Sequence, residues 1–263
     1  GEKWEKSGFR FARSPSLADR AVVVTGGGGG IGAGIVRRLA ERGARVGFLD
    51  IDADAGQALV ETLGAAGVRN VPDFRVADIT QLDRLRAAIE DLATAIGPFQ
   101  GLVNNAANDT RHEIADVTPE FWRQAMSVNL DHQFFAAQAV VDGMKQAGGG
   151  AVVNLGSMSW RVGIDRLSAY VAAKSAIEGL TNGLARELGP DNIRVNCITP
   201  GFVRTERQVK LWLTPELERE IFASQCLKEY IQPEYVANMV AFLLSDDSRM
   251  CTSGVFPVNG GWI

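Results

Sequence analysis

Histidine and cysteine are scarce in this chain, two and three residues among 263. Cys197, Cys226 and Cys251 form no C-x-x-C pair, and their odd number argues against a disulfide framework. They are expected to be small, buried, reduced side chains. His112 and His132 stand apart from them in sequence, so no metal site is expected. An excess of charge is also lacking. Lys and Arg total 27 and Asp and Glu 31, a formal net charge of −4, which provides no electrostatic footprint for nucleic acid. No apolar run is long enough to span a bilayer. The first sixteen residues are polar and basic and hold no apolar segment of a secretory signal, so a cytoplasmic protein is expected. Residues 1–19 read as an arm, disordered or loosely docked. The chain starts with Gly1 rather than Met, which fits a tail of processed or extraneous origin.

What is present is an alternation. Apolar residues make up 46% and glycine contributes 29 residues. From residue 20 onward, short β-branched runs alternate with longer helical patterns. Strands are predicted over 21–25, 45–50, 70–76, 101–104, 151–156, 194–198 and 255–258. Helices are predicted over 31–42, 53–66, 80–96 (with Thr80 as N-cap), 119–147, 168–188 and 232–244. Residues 203–230 are polar and helical and read as an insertion on the substrate side. This order implies a single α/β domain over 20–263. Its expected architecture is a doubly wound, Rossmann-type parallel sheet of about seven strands with helices on both faces. The ligand crevice of such a sheet lies at the carboxyl ends of the strands.

The run Thr25-Gly-Gly-Gly-Gly-Gly-Ile-Gly32 joins the first strand to its helix. Glycines there permit a tight turn and let backbone N–H groups approach a pyrophosphate, so Gly26, Gly29, Gly30 and Ile31 are candidate cofactor contacts. So many glycines match G-x-G-x-x-G in several registers, and a flexible loop is the alternative. Asp50 favours the nucleotide reading. It ends the second strand, where a carboxylate can accept from both ribose hydroxyls. A 2′-phosphate beside it would meet like charge, and neither Ile51 nor Gly29 offers a cation, so NAD is expected over NADP.

Tyr170 and Lys174 are four apart in Tyr-Val-Ala-Ala-Lys, on one face of a helix. An ammonium near a phenol favours the phenolate, and a phenol so tuned can serve as a general base. Ser157, thirteen residues before Tyr170, follows the fifth strand and can hydrogen-bond a reacting oxygen. By spacing alone, a solvated Tyr/Lys pair is the alternative.

Taken in order, Thr25–Gly32, Leu102-Val-Asn-Asn-Ala-Ala107, Asn129, Ser157, Tyr170-Val-Ala-Ala-Lys174 and Pro200-Gly201 resemble the short-chain dehydrogenase/reductase family across residues 20–263. Ala107 stands where many members carry Gly. The resemblance implies an oxidoreductase acting on CH–OH donors with NAD. Tyr170 would be the acid/base, Ser157 would stabilise the substrate oxygen, Lys174 would bind the nicotinamide ribose and Asn129 would hold a relay water. It further implies adenine contacts at Asp78 and Ile79, backbone contacts at Asn105 and Ala106, and a nicotinamide and phosphate loop at Pro200, Gly201, Val203 and Thr205. Similar proteins pair two long helices across subunits, which implies a homotetramer here, with Trp262 reaching a neighbouring subunit.

For the substrate, Asn108-Asp-Thr-Arg-His112 is polar for a crevice loop, and Gly156-Ser-Met-Ser-Trp160 adds a hydroxyl and an indole. With Ala223-Ser-Gln-Cys-Leu-Lys228, Leu243-Leu-Ser-Asp-Asp247 and Gly260-Gly-Trp262, these segments are similar to bacterial aldose 1-dehydrogenases acting on D-xylose and L-arabinose. A sugar needs many hydrogen-bond partners and often an aromatic face. Candidate sugar contacts are Asn108, Ser157, Ser159, Trp160, Tyr170 and Gln208. The same motifs also serve enzymes of other secondary alcohols and ketones, of 3-oxoacyl or steroid type. Outside catalysis, the fold could act as an NAD-binding sensor or scaffold.

Overall fold

A computed structural model describes residues 11–262. Its strands are β1 (Ala21–Thr25), β2 (Arg45–Asp50), β3 (Asp73–Val76), β4 (Gly101–Asn104), β5 (Gly150–Leu155), β6 (Ile193–Pro200) and β7 (Val255–Val258). All pair in parallel, in the order β3-β2-β1-β4-β5-β6-β7. The helices are α1 (Gly30–Glu41), α2 (Ala53–Ala65), α3 (Leu82–Ile96), α4 (Pro119–Met126), α5 (His132–Gln146), α6 (Ser159–Val162), α7 (Ser168–Leu188), α8 (Glu206–Leu211), α9 (Pro215–Ser224) and α10 (Pro233–Leu244).

The period of two along a strand divides its side chains between two cores. Val22 and Val24 of β1 join a cluster with Ile35 and Leu39 of α1, Leu59 of α2 and Val240 of α10. Ala21 and Val23 point the other way, to Ile89 of α3, Val140 of α5 and Leu184 of α7. Both faces are therefore covered, as apolar side chains on both faces of the central strands require. A buried polar ladder crosses the sheet as well. Asn104 donates to Asn154 at 2.9 Å, and Asn154 donates to Thr181 at 3.0 Å, which pins β4 and β5 to α7.

Several elements differ from expectation for identifiable reasons. Thr80 does not cap α3. Its hydroxyl donates to Asp78 at 2.7 Å, and Gln81 takes the N-cap position. The predicted 119–147 helix is broken by a π-helical turn, Ser127–Asp131, which separates α4 from α5. Strand β6 runs further than predicted, to Pro200, because β7 pairs along it. Residues 1–10 of the predicted arm lie outside the described residues. Residues 14–17, by contrast, are docked: Leu17 is fully buried and the Ser14 hydroxyl donates to Asp247 at 2.9 Å. Of the three cysteines only Cys197 is buried; Cys251 is half-buried and Cys226 exposed.

The strand order reverses between β1 and β4, and the loops leaving these two strands diverge there, opening a crevice at the carboxyl ends.

Candidate active site

The crevice has a volume of about 960 Å³ and runs from Asp50 to the α8–α9 segment. At one end stands the glycine loop. Gly26 holds φ +66°, and a Cβ there would lie 2.8 Å from the Ala106 Cα. A Cβ on Gly32 would lie 1.8 Å from the Gly26 carbonyl oxygen, so this turn closes only without side chains. The amide of Asn105 fastens it by donating to the carbonyls of Thr25 and Gly26 at 3.0 and 2.8 Å. Asn105 therefore acts on the loop through its side chain, while Ala106 lines the crevice and donates its N–H to the Thr25 hydroxyl at 3.2 Å.

Gly29, Gly30 and Ile31 open α1 into the crevice, where the first N–H groups of a helix lack intrahelical partners. Asp50 is oriented by the N–H of Gly28 at 2.7 Å and of Asp52 at 3.0 Å. Ile51, Asp78 and Ile79 line the same end. Opposite, Pro200 ends β6 and Gly201, Val203 and Thr205 follow it, and a Cβ on Gly30 would stand 3.2 Å from the Thr205 Cγ2. A cradle without side chains, a helix N-terminus and an oriented carboxylate fit a dinucleotide. The cations lining the crevice, Arg111, Lys174 and Arg207, all lie away from Asp50 in sequence and on other elements.

Ser157, Tyr170 and Lys174 meet in the middle. Ser157 follows β5, while Tyr170 and Lys174 share a face of α7. Lys174 is 1% exposed; its Nζ donates to the Leu155 carbonyl at 2.8 Å and stands 5.6 Å from the Tyr170 ring centroid. Burial pushes the ammonium down to about 8. Tyr170 keeps part of its surface open to the crevice, yet burial pushes its phenol up to about 12. The Asp109 carboxylate adds to the rise, and a hydrogen bond with Ser157 works against it. The expected lowering by Lys174 does not appear among the groups that act on the phenol; Ser157 and Arg207 lower it, and desolvation outweighs them.

Asn129 sits on the π-helical turn and is 1% exposed. Its amide donates to the carbonyls of Asn108 and Ala125, both at 3.0 Å, and its oxygen accepts from the Asn108 N–H at 2.9 Å. Both amide hydrogens are committed to these carbonyls, so the side chain anchors the loop after β4. That loop carries Asn108, whose Oδ1 accepts from the N–H and hydroxyl of Thr110 at 3.0 and 2.7 Å.

Of the predicted sugar contacts, Asn108, Ser157, Ser159, Tyr170 and Gln208 line the crevice. The Ser159 hydroxyl is buried and has no hydrogen-bond partner among the described residues. Trp160 does not line it. Its indole N–H donates to Glu178 at 2.9 Å, with the Arg161 guanidinium 4.6 Å from the ring centroid, so it braces α6 against α7. Trp262 lines the crevice of its own chain. Sequence reasoning missed Asp109 and Arg207. The signal was present in the polar run after β4, where attention went to Asn108. Arg111 belongs to the same run and stacks on Trp212 at 4.6 Å.

Residues 26–263 match a family model described as enoyl-(acyl carrier protein) reductase. The chain belongs to the short-chain dehydrogenase/reductase family. It is 49% identical over 248 residues to D-xylose 1-dehydrogenase of Caulobacter vibrioides, covering 94% of this chain and 97% of that one. It is 44% identical to a Rhizobium meliloti protein named "Probable galactose dehydrogenase GalD", covering 94% and 96%. Among solved structures, a 7α-hydroxysteroid dehydrogenase in complex with NADH superposes with a TM-score of 0.90 at 29% identity, covering 97% and 98%.

Gly32→Ala is expected to weaken NADH binding at least about tenfold, because the added methyl displaces the Gly26 carbonyl. Fluorescence titration measures this; parental affinity would mean that the loop yields without losing its shape.

Proposed function

We propose that this protein is an NAD-dependent dehydrogenase that oxidises an aldose at C1 to the lactone, with a pentose such as D-xylose or L-arabinose as the leading substrate. One observation carries the reading. A single crevice joins a nucleotide cradle to Ser157 and Tyr170, then to a wall of charged and amide groups. The 49% identity to a D-xylose 1-dehydrogenase over nearly the whole chain supports the choice of sugar.

Bound along the cradle, NAD supplies the hydride acceptor. Gly26, Gly29, Gly30 and Ile31 would hold its pyrophosphate and Asp50 its adenosine ribose. Asp78, Ile79, Asn105, Ala106, Pro200, Gly201, Val203 and Thr205 would complete its walls. Asp50 with exposed Ile51 beside it supports NAD over NADP, since a 2′-phosphate would meet the carboxylate without a counter-ion. Ser157 holds the anomeric oxygen, and Tyr170 takes its proton as hydride leaves C1. Lys174 places a cation near the phenol and would donate to the nicotinamide ribose. Asn129 keeps the Asn108 loop in place at the crevice.

The protein is proposed to act in the cytoplasm, where thiols such as exposed Cys226 stay reduced; cell fractionation checks this. Among the described residues, no helix is long and apolar enough to cross a membrane. A homotetramer is proposed on α5 and α7. Phe134 on α5 is 40% exposed, and open space lies beside Gly179 and Gly183 on α7. Light scattering should return four times the chain mass; a monomer would defeat that arrangement.

A panel of aldoses and apolar secondary alcohols, each with NAD and NADP and followed at 340 nm, tests the reading. Pentose turnover with NAD and a clear NAD preference in kcat/KM are expected. Turnover of alcohols alone would instead favour the second reading, oxidation of a larger secondary alcohol, which the hydroxysteroid dehydrogenase likeness supports. Tyr170→Phe is expected to lower kcat by about 10²-fold or more while NADH still binds, the size of a lost general base; a fully active variant would remove Tyr170 from its role.

A further inference from the structure

One carboxylate joins the loop after β4 to α8 across the crevice. Asp109 is paired with Arg207 through Oδ1, and its Oδ2 accepts from the Gln208 amide at 2.8 Å. These partners lie 98 and 99 residues further along the chain. The Asp109 side chain is 19% exposed, and Asp109, Arg207 and Gln208 all line the crevice.

Burial alone would raise the Asp109 carboxyl, but its hydrogen bonds to Arg207 and Gln208 hold it below the usual carboxylate range, so it stays charged. That charge opposes ionisation of Tyr170. An amide in its place would offer one acceptor oxygen, whereas the carboxylate serves Arg207 and Gln208 with two and balances the guanidinium charge. The same carboxylate also faces the crevice, where it can serve a ligand. Each of its oxygens keeps acceptor capacity after Arg207 and Gln208 are served. A hydroxyl donating to a carboxylate forms a charge-assisted hydrogen bond, about twice as strong as a neutral one. An apolar substrate would strip water from the ion pair and return nothing.

We propose that Asp109, fixed between Arg207 and Gln208, is a specificity-determining residue: it accepts a hydrogen bond from a substrate hydroxyl beyond the reacting carbon and thereby selects polyhydroxylated substrates over apolar alcohols. The inference rests on the sugar reading above. Of the groups around Tyr170, Asp109 and Arg207 have opposite effects on it, and Ser157 and Lys174 remain unchanged in the variants below.

The test compares the parent with Asp109→Asn, which keeps shape and loses charge, using the best aldose and cyclohexanol as substrates. Direct binding of the sugar in the presence of NADH is measured by calorimetry. In Asp109→Asn the aldose KM and the calorimetric Kd should rise about 10- to 100-fold, as for a lost bond to a charged group. NADH affinity should stay within about twofold, and the cyclohexanol-to-aldose ratio of kcat/KM should rise. The acid limb of the kcat profile should also move to lower pH, because a charge opposing Tyr170 ionisation is gone; Arg207→Ala should move it the other way. Should Asp109→Asn not fold, Gln208→Leu replaces it, with at least about a threefold rise in aldose KM expected. Aldose KM and Kd unchanged in the folded variant overturn the inference alone. A parent that turns over no aldose overturns the sugar reading, and the inference falls with it.

Discussion

Lys174 is an ammonium on α7, 1% exposed, donating to the carbonyl of Leu155 at the end of β5. A buried cation is costly unless partners compensate for lost hydration. Burial drives its proton affinity down to about 8 and, with the lysine charge, holds buried His132 neutral, down to about 3. The contact ties the helix that carries Tyr170 to the strand that leads into Ser157. These groups come from segments separated in sequence, and their meeting depends on α7 packing along β6 and reaching the end of β5. The Asn104–Asn154–Thr181 ladder reinforces the same registration inside the sheet. Tyr170 sits one helical turn from the anchor, so helix geometry transmits the registration to its phenol.

The architecture was legible because most strands are short runs rich in apolar and β-branched residues and the long helices have apolar stripes, so alternation alone implied parallel pairing and two covered faces. The failures fall where local rules compete with tertiary contacts. Thr80 has the chemistry of an N-cap, yet its N–H and hydroxyl both donate to Asp78, two residues earlier, which holds it in the preceding turn while Gln81 takes the cap position. The break at Ser127–Asp131 leaves no mark in composition, since a π-helical turn is made by one extra residue rather than by a breaker such as proline. That turn carries buried Asn129, whose amide reaches Asn108, so the irregularity and the loop's position are one feature.

The site was legible to the extent that its groups are fixed by spacing. Tyr170 and Lys174 share a helix face by arithmetic, and the glycine loop joins a strand to a helix. What spacing could not reveal was direction. Trp160 has the ring a sugar site often uses, but Glu178 on α7 claims its indole N–H and turns it from the crevice. Asp109 stands beside Asn108 in a run recognised as polar, but its importance comes from Arg207 and Gln208, almost one hundred residues away. No local pattern announces a pair formed at that separation.

The two ends of the crevice have opposite electrostatic designs. Near Asp50 a carboxylate lines the crevice with no lining cation next to it in sequence, which would suit neutral ribose hydroxyls better than an added phosphate. Near Asp109 a carboxylate is already matched by a guanidinium and an amide. A matched pair does not attract net charge, but it offers donors and acceptors to neutral, multiply hydroxylated ligands. It also carries a cost to the reaction, since the same carboxylate hinders Tyr170 ionisation while Arg207 relieves it. With Arg207 balancing its charge, the carboxylate can face the crevice at little cost in net charge, and its free acceptor capacity would suit a ligand that brings hydroxyls to that wall.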